Sequence, residues 1–243
     1  MRVFFGSLLF NLGFYGFTAV VVATSLPLLP LPRGVLVWVL RSYTWVVEAM
    51  LRLFCGVRVQ VEGFENIPPG AVLIVSKHQS AFDTVFWLSR LPDPCYVMKI
   101  ELMRIPVWGW LARKCGMISV DREGGAPALR NMVKEARAVA AAGRQIVIYP
   151  EGTRAAPGVT EPYQPGVAAI AGAIRVPIVP VATNSGVFWG RKAFSKRPGV
   201  LRVKILPALP AGLIRSRLMA ELEEVIESES RAMLAGSTPP RQG

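Results

Sequence analysis

The stretch Ala71-Val72-Leu73-Ile74-Val75-Ser76-Lys77-His78-Gln79-Ser80-Ala81-Phe82-Asp83 decides how the chain is read. The unbroken apolar run from Ala71 to Val75 reads as a strand. It ends in a polar turn and leads into a helix expected over 81–89. In α/β folds ligands gather at the carboxyl ends of strands, so this turn is the first place to look for chemistry. His78 and Asp83 are five residues apart. On one continuous helix they would lie about 140° apart around the axis and could not pair. With His78 in the turn and Ser80 as the N-cap, Asp83 at N3 can reach back to the imidazole. The same residues also read as a capping box with an acidic N3, and spacing alone leaves both readings open. A catalytic reading would gain an imidazole with a free pKa of about 6.5, able to take a proton at neutral pH. A carboxylate would fix its tautomer and stabilise the imidazolium. His78 is the single histidine of the chain, so any imidazole chemistry has one candidate and a His-rich metal site is excluded.

Outward from this segment, β-rich runs alternate with helical patterns. Val57, Val59 and Val61 follow period two, and further strands are expected over 95–98, 117–120, 145–149, 177–182 and 201–206. Helices fit between them over 107–115, 127–142 and 165–174, the middle one stopped by Gly143. Strand, helix, strand repeated in this way predicts an α/β fold, one domain with a central mixed sheet flanked by helices. Ile214, Leu218, Leu222, Val225 and Ile226 mark a last amphipathic helix on the domain edge, and 237–243 reads as a frayed tail.

The amino terminus is different in kind. No charged residue occurs between Arg2 and Arg33, and Val3 to Leu26 is long enough to cross a hydrocarbon core of about 30 Å at about 1.5 Å per residue. It reads as a membrane helix, with a cleaved signal peptide as the alternative. In the second oily segment, Val35 to Phe54, the residues Arg41, Thr44, Glu48 and Arg52 form one polar stripe. Such a helix is expected to lie in the interface, or to pack on the first helix with its stripe toward headgroups. The connector Pro27 to Gly34 supplies the turn. The division expected is therefore 1–55, a membrane-seated helical hairpin; 56–236, the catalytic domain; and 237–243, a disordered tail. Arg33, Arg41 and Arg52 flank the oily segments, which by the positive-inside tendency places the catalytic domain on the cytoplasmic side of the inner membrane.

The 243 residues are 52% hydrophobic, carry a formal net charge of +12 and have a mean hydropathy of +0.39. That is too oily for an ordinary soluble surface, and the charge favours an anionic partner: nucleic acid, an anionic leaflet or a phosphorylated substrate. Nucleic acid would explain the charge and leave the oily amino terminus and the His-Asp turn without a purpose. Cys55, Cys95 and Cys115 are far apart and odd in number, the pattern of buried thiols rather than of a disulfide framework or a zinc cluster.

Other chemistry-bearing residues also follow strands. Tyr149-Pro150-Glu151-Gly152-Thr153-Arg154 leaves the run 145–148. Gly152 permits close backbone approach, Thr153 offers a hydroxyl and an amide, and Arg154 a planar fork suited to phosphate oxygens. Arg122 stands just beyond 117–120, and Lys99 just beyond 95–98. Each alone is more often a solvated surface cation. Together with the His-Asp pair they predict an anion-binding pocket on one rim of a sheet. No Gly-x-Ser-x-Gly elbow is present, which leaves a serine acyl-enzyme unsupported. The glycines of Gly186 to Lys192 are four apart rather than the five of a P-loop, and no Gly-x-Gly-x-x-Gly opens a helix. Direct attack by an acceptor hydroxyl on an activated acyl donor is then the simplest scheme.

From about Val57 to Leu206 the chain resembles the 1-acylglycerol-3-phosphate acyltransferases, the lysophosphatidic acid acyltransferases of the wider glycerolipid acyltransferase superfamily. His78 to Asp83 is similar to the family's His-x4-Asp catalytic motif, and Glu151-Gly152-Thr153-Arg154 to its acceptor-binding motif. Gly116 to Arg122 resembles the block whose arginine contacts the acceptor phosphate, and Val176 to Ala182 the fourth block. Lys99 stands where related enzymes often carry a lysine near the phosphate site. Lys77, Tyr149 and Ala155 stand where Asn, Phe and Ser are commoner. The resemblance implies transfer of a fatty acyl group from acyl-CoA or acyl-carrier protein, as co-substrate and with no cofactor or metal, to the sn-2 hydroxyl of lysophosphatidic acid, giving phosphatidic acid in phospholipid biosynthesis. It implies His78 and Asp83 as the catalytic pair, Lys99, Arg122, Glu151, Gly152, Thr153 and Arg154 as substrate-binding residues, membrane lipids as surroundings, and an amino-terminal two-helix motif in one leaflet. Glu151 is expected to orient a cation or an acceptor hydroxyl rather than to act as a base. The competing expectations are the same chemistry on another lysolipid, such as a lyso-ornithine lipid, and a non-enzymatic basic protein that binds anionic lipid.

Overall fold

The computed structural model describes residues 1–210 and 212–235; the expected tail over 237–243 lies outside them. Helices α1 (Arg2–Ser25) and α2 (Arg33–Cys55) form an antiparallel hairpin. They cross so closely at Gly6 that any side chain there would overlap the Phe54 carbonyl. Farther along, Thr18 and Tyr43 share a hydroxyl hydrogen bond of 2.8 Å. Both helices are long and apolar enough to cross a membrane, and most of the apolar stretch of α1 is left uncovered by the rest of the protein. Phe4, Phe5, Leu9, Leu12 and Tyr15 all face outward.

Gly56, in the left-handed region at φ 66°, ends α2 and turns the chain into β1 (Val57–Glu62). Then follow β2 (Val72–Ser76), α3 (Ala81–Arg90), β3 (Pro94–Lys99), α4 (Ile100–Arg104), α5 (Trp108–Lys114), β4 (Ile118–Val120), α6 (Gly125–Ala141) and β5 (Gln145–Ile148). The chain continues with α7 (Gly166–Ile174), β6 (Ile178–Thr183), α8 (Ser185–Phe188), β7 (Gly199–Ile205) and α9 (Arg215–Ala235). The strands form one mixed sheet in the order β1-β7-β6-β2-β5-β3-β4, parallel throughout except for the β6–β7 pair. Burial explains the two sequence patterns. Central β2 is buried at every position, because both faces of a parallel sheet are covered, and so it reads as continuous apolar sequence. Edge strand β1 has alternately covered and open positions and keeps period two.

One face of the sheet carries α1, α2 and α3, where Phe10, Tyr43, Val47 and Leu51 join Val72, Ile74, Phe82 and Phe86 in a single core. The other face carries α6, α7 and α9 through Met132, Ala136, Ile170, Leu222 and Ile226. The first of these cores corrects one expectation. The polar stripe of α2 does not face headgroups: Thr44 is buried and donates to the Val85 carbonyl at 3.0 Å, Glu48 pairs with Arg90 at 2.7 Å, and Arg41 reaches the Leu91 and Pro92 carbonyls. Of the four stripe residues only Arg52 is exposed without such a contact among the described residues. The physical reason is that buried or half-buried polar groups need partners, and the carboxyl end of α3 offers carbonyls and a guanidinium at the right height. Ile214 departs as well. It lies before α9 and is 70% exposed, whereas Leu218, Leu222 and Ile226 are buried as the pattern predicts.

Candidate active site

Because β2, β5, β3 and β4 all run parallel, their carboxyl ends share one edge, and the segments singled out in the sequence emerge there. Lys77 still pairs with the sheet, its amide donating to the Val181 carbonyl at 2.9 Å. His78 is the next residue, released from the ladder and free to turn. Ser80, in an extended conformation, is the N-cap of α3 and accepts from the Phe82 amide at 3.1 Å.

The His78–Asp83 pairing and the capping box prove to be one structure. A single oxygen of Asp83, Oδ2, accepts from the amides of Gln79 at 2.7 Å and Ser80 at 2.8 Å and lies 3.1 Å from His78 Nδ1. The capping box therefore holds the carboxylate on the imidazole. With Asp83 ionised and acceptor-only, Nδ1 is the protonated nitrogen and Nε2 carries the lone pair. The Asp83 side chain is almost covered, at 3% exposure, and that of His78 keeps 12%, so the ring is neither entombed nor freely solvated.

Register explains the neighbour on the other face of the ring. Val75 pairs with Ile148 across β2 and β5, so the residues that follow leave the sheet side by side. The Tyr149 ring stacks on His78 with centroids 4.1 Å apart and planes 22° apart, and its hydroxyl donates to the Asp83 carbonyl at 2.7 Å. Burial holds the Tyr149 phenol well above its ordinary pKa, so it acts here as a neutral hydrogen-bond donor and a rigid wall. Sequence reasoning noted Tyr149 only as a departure from a family pattern. The signal available was an aromatic at the first position after a central strand.

The loop after β5 is tied to the same centre. The Ala155 amide donates to the His78 carbonyl at 2.8 Å, which sets Thr153 and Arg154, both half-buried, beside the turn. Gly152 adopts φ 63°, and the Arg122 guanidinium, arriving from the end of β4, donates to its carbonyl. A Cβ at Gly152 would overlap that guanidinium, so glycine is required twice over, for the left-handed backbone and for the approach of Arg122. Partial burial pulls the Arg122 pKa down and Glu101 pulls it up; a guanidinium remains charged under either influence. Lys99 is exposed at the end of β3, in register with Val120, two residues before Arg122.

Glu151 is placed differently from the rest. Its side chain is wholly covered, with Lys77 Nζ 3.0 Å from Oε1, so in this arrangement it orients a cation of the protein and does not face the open rim. Lys77 also lies 2.5 Å from Glu227 on α9 and donates to the Val159 carbonyl at 3.1 Å. Thr160 and Tyr163 hydroxyls donate to Glu227 in turn. One buried ammonium thus binds together the β2 turn, the β5 loop and the last helix. Burial pushes the Glu151 carboxyl up to about 7, against the pull of Lys77. No sequence signal announces this cluster, because Glu227 sits in a run of charged residues that looks like a solvated helix face.

Residues 58–184 match the protein family described as Acyltransferase. The 1-acyl-sn-glycerol-3-phosphate acyltransferase of Pseudomonas aeruginosa is 33% identical over 217 residues, covering 89% of this chain and 84% of that protein. The human 1-acyl-sn-glycerol-3-phosphate acyltransferase alpha is 29% identical over 197 residues, covering 79% and 70%. The crystal structure of the 1-acyl-sn-glycerophosphate (LPA) acyltransferase PlsC from Thermotoga maritima shares the fold, with a TM-score of 0.78, 23% identity and coverage of 96% of this chain and 98% of that one. The chain thus belongs to the acyltransferase family, among relatives named 1-acyl-sn-glycerol-3-phosphate acyltransferases, and is an O-acyltransferase.

Proposed function

We propose that the protein acylates the sn-2 hydroxyl of lysophosphatidic acid, with acyl-CoA or acyl-carrier protein as the donor, and so makes phosphatidic acid. The observation that carries this reading is the imidazole held by Asp83 on one side and Tyr149 on the other, at the same sheet edge as Arg122, Arg154 and Lys99. His78 Nε2 takes the hydroxyl proton while the oxygen attacks the thioester carbon. The new C–O bond forms, the C–S bond breaks, and the imidazolium returns the proton to the departing thiolate. Asp83 stabilises the imidazolium without itself being protonated. Arg122 spends one N–H on the Gly152 carbonyl and has others left for phosphate oxygens. Arg154 and Lys99 add to the cationic rim, the Thr153 hydroxyl and amide and the amides near Gly152 can receive developing negative charge, and Glu151 acts through Lys77.

Residues 1–55 seat the catalytic unit that begins at residue 56 on the membrane, with the site facing the cytoplasm. Purified protein offered a panel of acyl-CoA and acyl-carrier-protein donors and of lysolipid acceptors, with products read by mass spectrometry, tests the assignment. Phosphatidic acid as the dominant product supports it. Turnover confined to an acceptor without a phosphomonoester, such as a lyso-ornithine lipid, overturns it, as does the absence of thiol release with any donor.

A further inference from the structure

We infer that the corner formed by α4 and α5 is a second membrane-contacting element, which lays the Lys99 and Arg122 edge of the site against an anionic bilayer. Within the nine residues from Leu102 to Trp110, four large apolar side chains point outward: Leu102 at 39%, Ile105 at 46%, Trp108 at 40% and Trp110 at 50% exposure. A folded protein seldom leaves such a cluster open without an apolar partner.

The corner is a fixed shape. Met103 is buried as its anchor, and Gly109 is pressed so close to the Met103 carbonyl that a Cβ would overlap it. Arg113 donates to that same carbonyl at 2.8 Å, and the Gly109 amide donates to the Ile105 carbonyl at 2.8 Å. Val107, between the two helices, is held at φ 65°, a conformation that a β-branched residue adopts only when its surroundings impose it. The fold thus holds the apolar side chains outward.

Three features fit lipid as the occupant. Two indoles, with Arg104 and Arg113 exposed beside them, are the composition of a membrane–water interface, where amphipathic rings sit at headgroup depth and cations meet anionic lipid. The corner follows Lys99 directly, and Glu101 on α4 is close enough to influence Arg122, so the patch borders the cationic rim. At its other end the chain beyond α5 packs against the hairpin, Cys115 lining a small cavity together with Val37 and Leu40 of α2. An acceptor with its phosphate on this rim would have its acyl chain beside the corner. That last point rests on the function proposed above; the lipid contact itself does not.

The test uses the full chain in vesicles of phosphatidylcholine with phosphatidylglycerol. Trp110→Cys carries an environment-sensitive fluorophore, and Lys134→Cys, on the exposed side of α6, is the control; the three native cysteines are buried. The expected result is a blue-shifted Trp110→Cys label quenched by spin-labelled lipid, with the Lys134→Cys label unquenched. A label at Trp110→Cys as wet and unquenched as the control overturns the inference. So does a blue shift that grows with protein concentration and ignores spin-labelled lipid, which would make the corner an interface between two copies of the chain. In turnover assays Trp108→Ser/Trp110→Ser should raise the apparent KM for vesicle-embedded acceptor by about tenfold. With a monomeric short-chain acceptor kcat/KM should stay within about twofold of wild type, since the corner touches no reacting atom; equal losses on both acceptors would contradict a lipid role. Quenching needs no turnover, so lipid contact without phosphatidic acid production would retire the proposed acceptor and leave this inference standing.

Discussion

Replacing Asp83 by Asn separates the charge of the dyad from its geometry. The oxygen that faces His78 is fixed by two backbone donors, the Gln79 and Ser80 amides at 2.7 and 2.8 Å. An Asn side chain should keep its carbonyl oxygen there, because its amide nitrogen in that position would face two N–H groups. The cap and the Nδ1–H tautomer then survive, and what disappears is the negative charge 3.1 Å from the ring that becomes imidazolium in the proposed mechanism. At an effective dielectric of about 20 that attraction is about 5 kcal/mol. The hydrogen bond retained to a neutral acceptor recovers about 1 kcal/mol, and residual exposure of the ring a little more. The expected loss is about 3 to 4 kcal/mol of transition-state stabilisation, a fall in kcat of roughly 10² to 10³-fold. The accompanying change in folding stability should be about 1 kcal/mol or less. Asp83→Ala should lose more activity, because the ring is no longer oriented, and should also lose about 1 kcal/mol or more from the missing cap. The assay is thiol release from acyl-CoA under saturating acceptor, beside thermal unfolding in the same detergent. Asp83→Asn turning over within about threefold of wild type, or as destabilised as Asp83→Ala, would refute the reasoning.

Gly152→Ala must place a side chain at φ 63° against the Arg122 guanidinium. It should cost about 1–2 kcal/mol of stability and displace Arg122, seen as a raised acceptor KM with the donor KM unchanged. Arg154→Ala should likewise raise the acceptor KM by about tenfold or more while the fold stays intact; an unchanged KM would remove it from the phosphate site. Glu151 has a raised pKa, about 7 against an ordinary 4.5. Between those values the unfolded chain has released a proton that the folded protein keeps, so the stability from this group falls as pH rises and is lowest above pH 7. Glu151→Gln leaves Lys77 with Glu227 alone and should gain on wild type by up to about 3 kcal/mol between pH 5 and pH 8. Chemical unfolding at the two pH values checks this, and a constant difference would contradict it.

What the sequence revealed and what it hid follow from how far apart the interacting residues lie. Each of the seven strands was visible because burial on one or both faces imposes a period that a short window can read, as in Val57, Val59 and Val61 or Ala71 to Val75. The pairing of His78 with Asp83 was also local, since five residues and a cap determine it. The stacking of Tyr149 on His78 depends on which strands are neighbours, and no window of sequence states that β2 lies beside β5. The Lys77–Glu151–Glu227 cluster joins residues up to 150 apart, and Glu227 looks like its solvated neighbours until α9 is laid against the sheet. The stripe on α2 was seen correctly as a stripe and assigned the wrong surroundings. Periodicity tells which residues share a face of a helix and is silent on whether that face meets lipid headgroups or the carboxyl end of α3.

In the proposed mechanism the His78 imidazole is the general base on which turnover depends. Wild type and His78→Gln, matched for folding by thermal unfolding and supplied with labelled lysophosphatidic acid and acyl-CoA, give the most direct measurement. The prediction is labelled phosphatidic acid and stoichiometric thiol from wild type, and at least about 10²-fold less of both from His78→Gln, since general-base catalysis contributes roughly 10² to 10⁴-fold and here has a single candidate. Product formation by His78→Gln within about tenfold of wild type would contradict it.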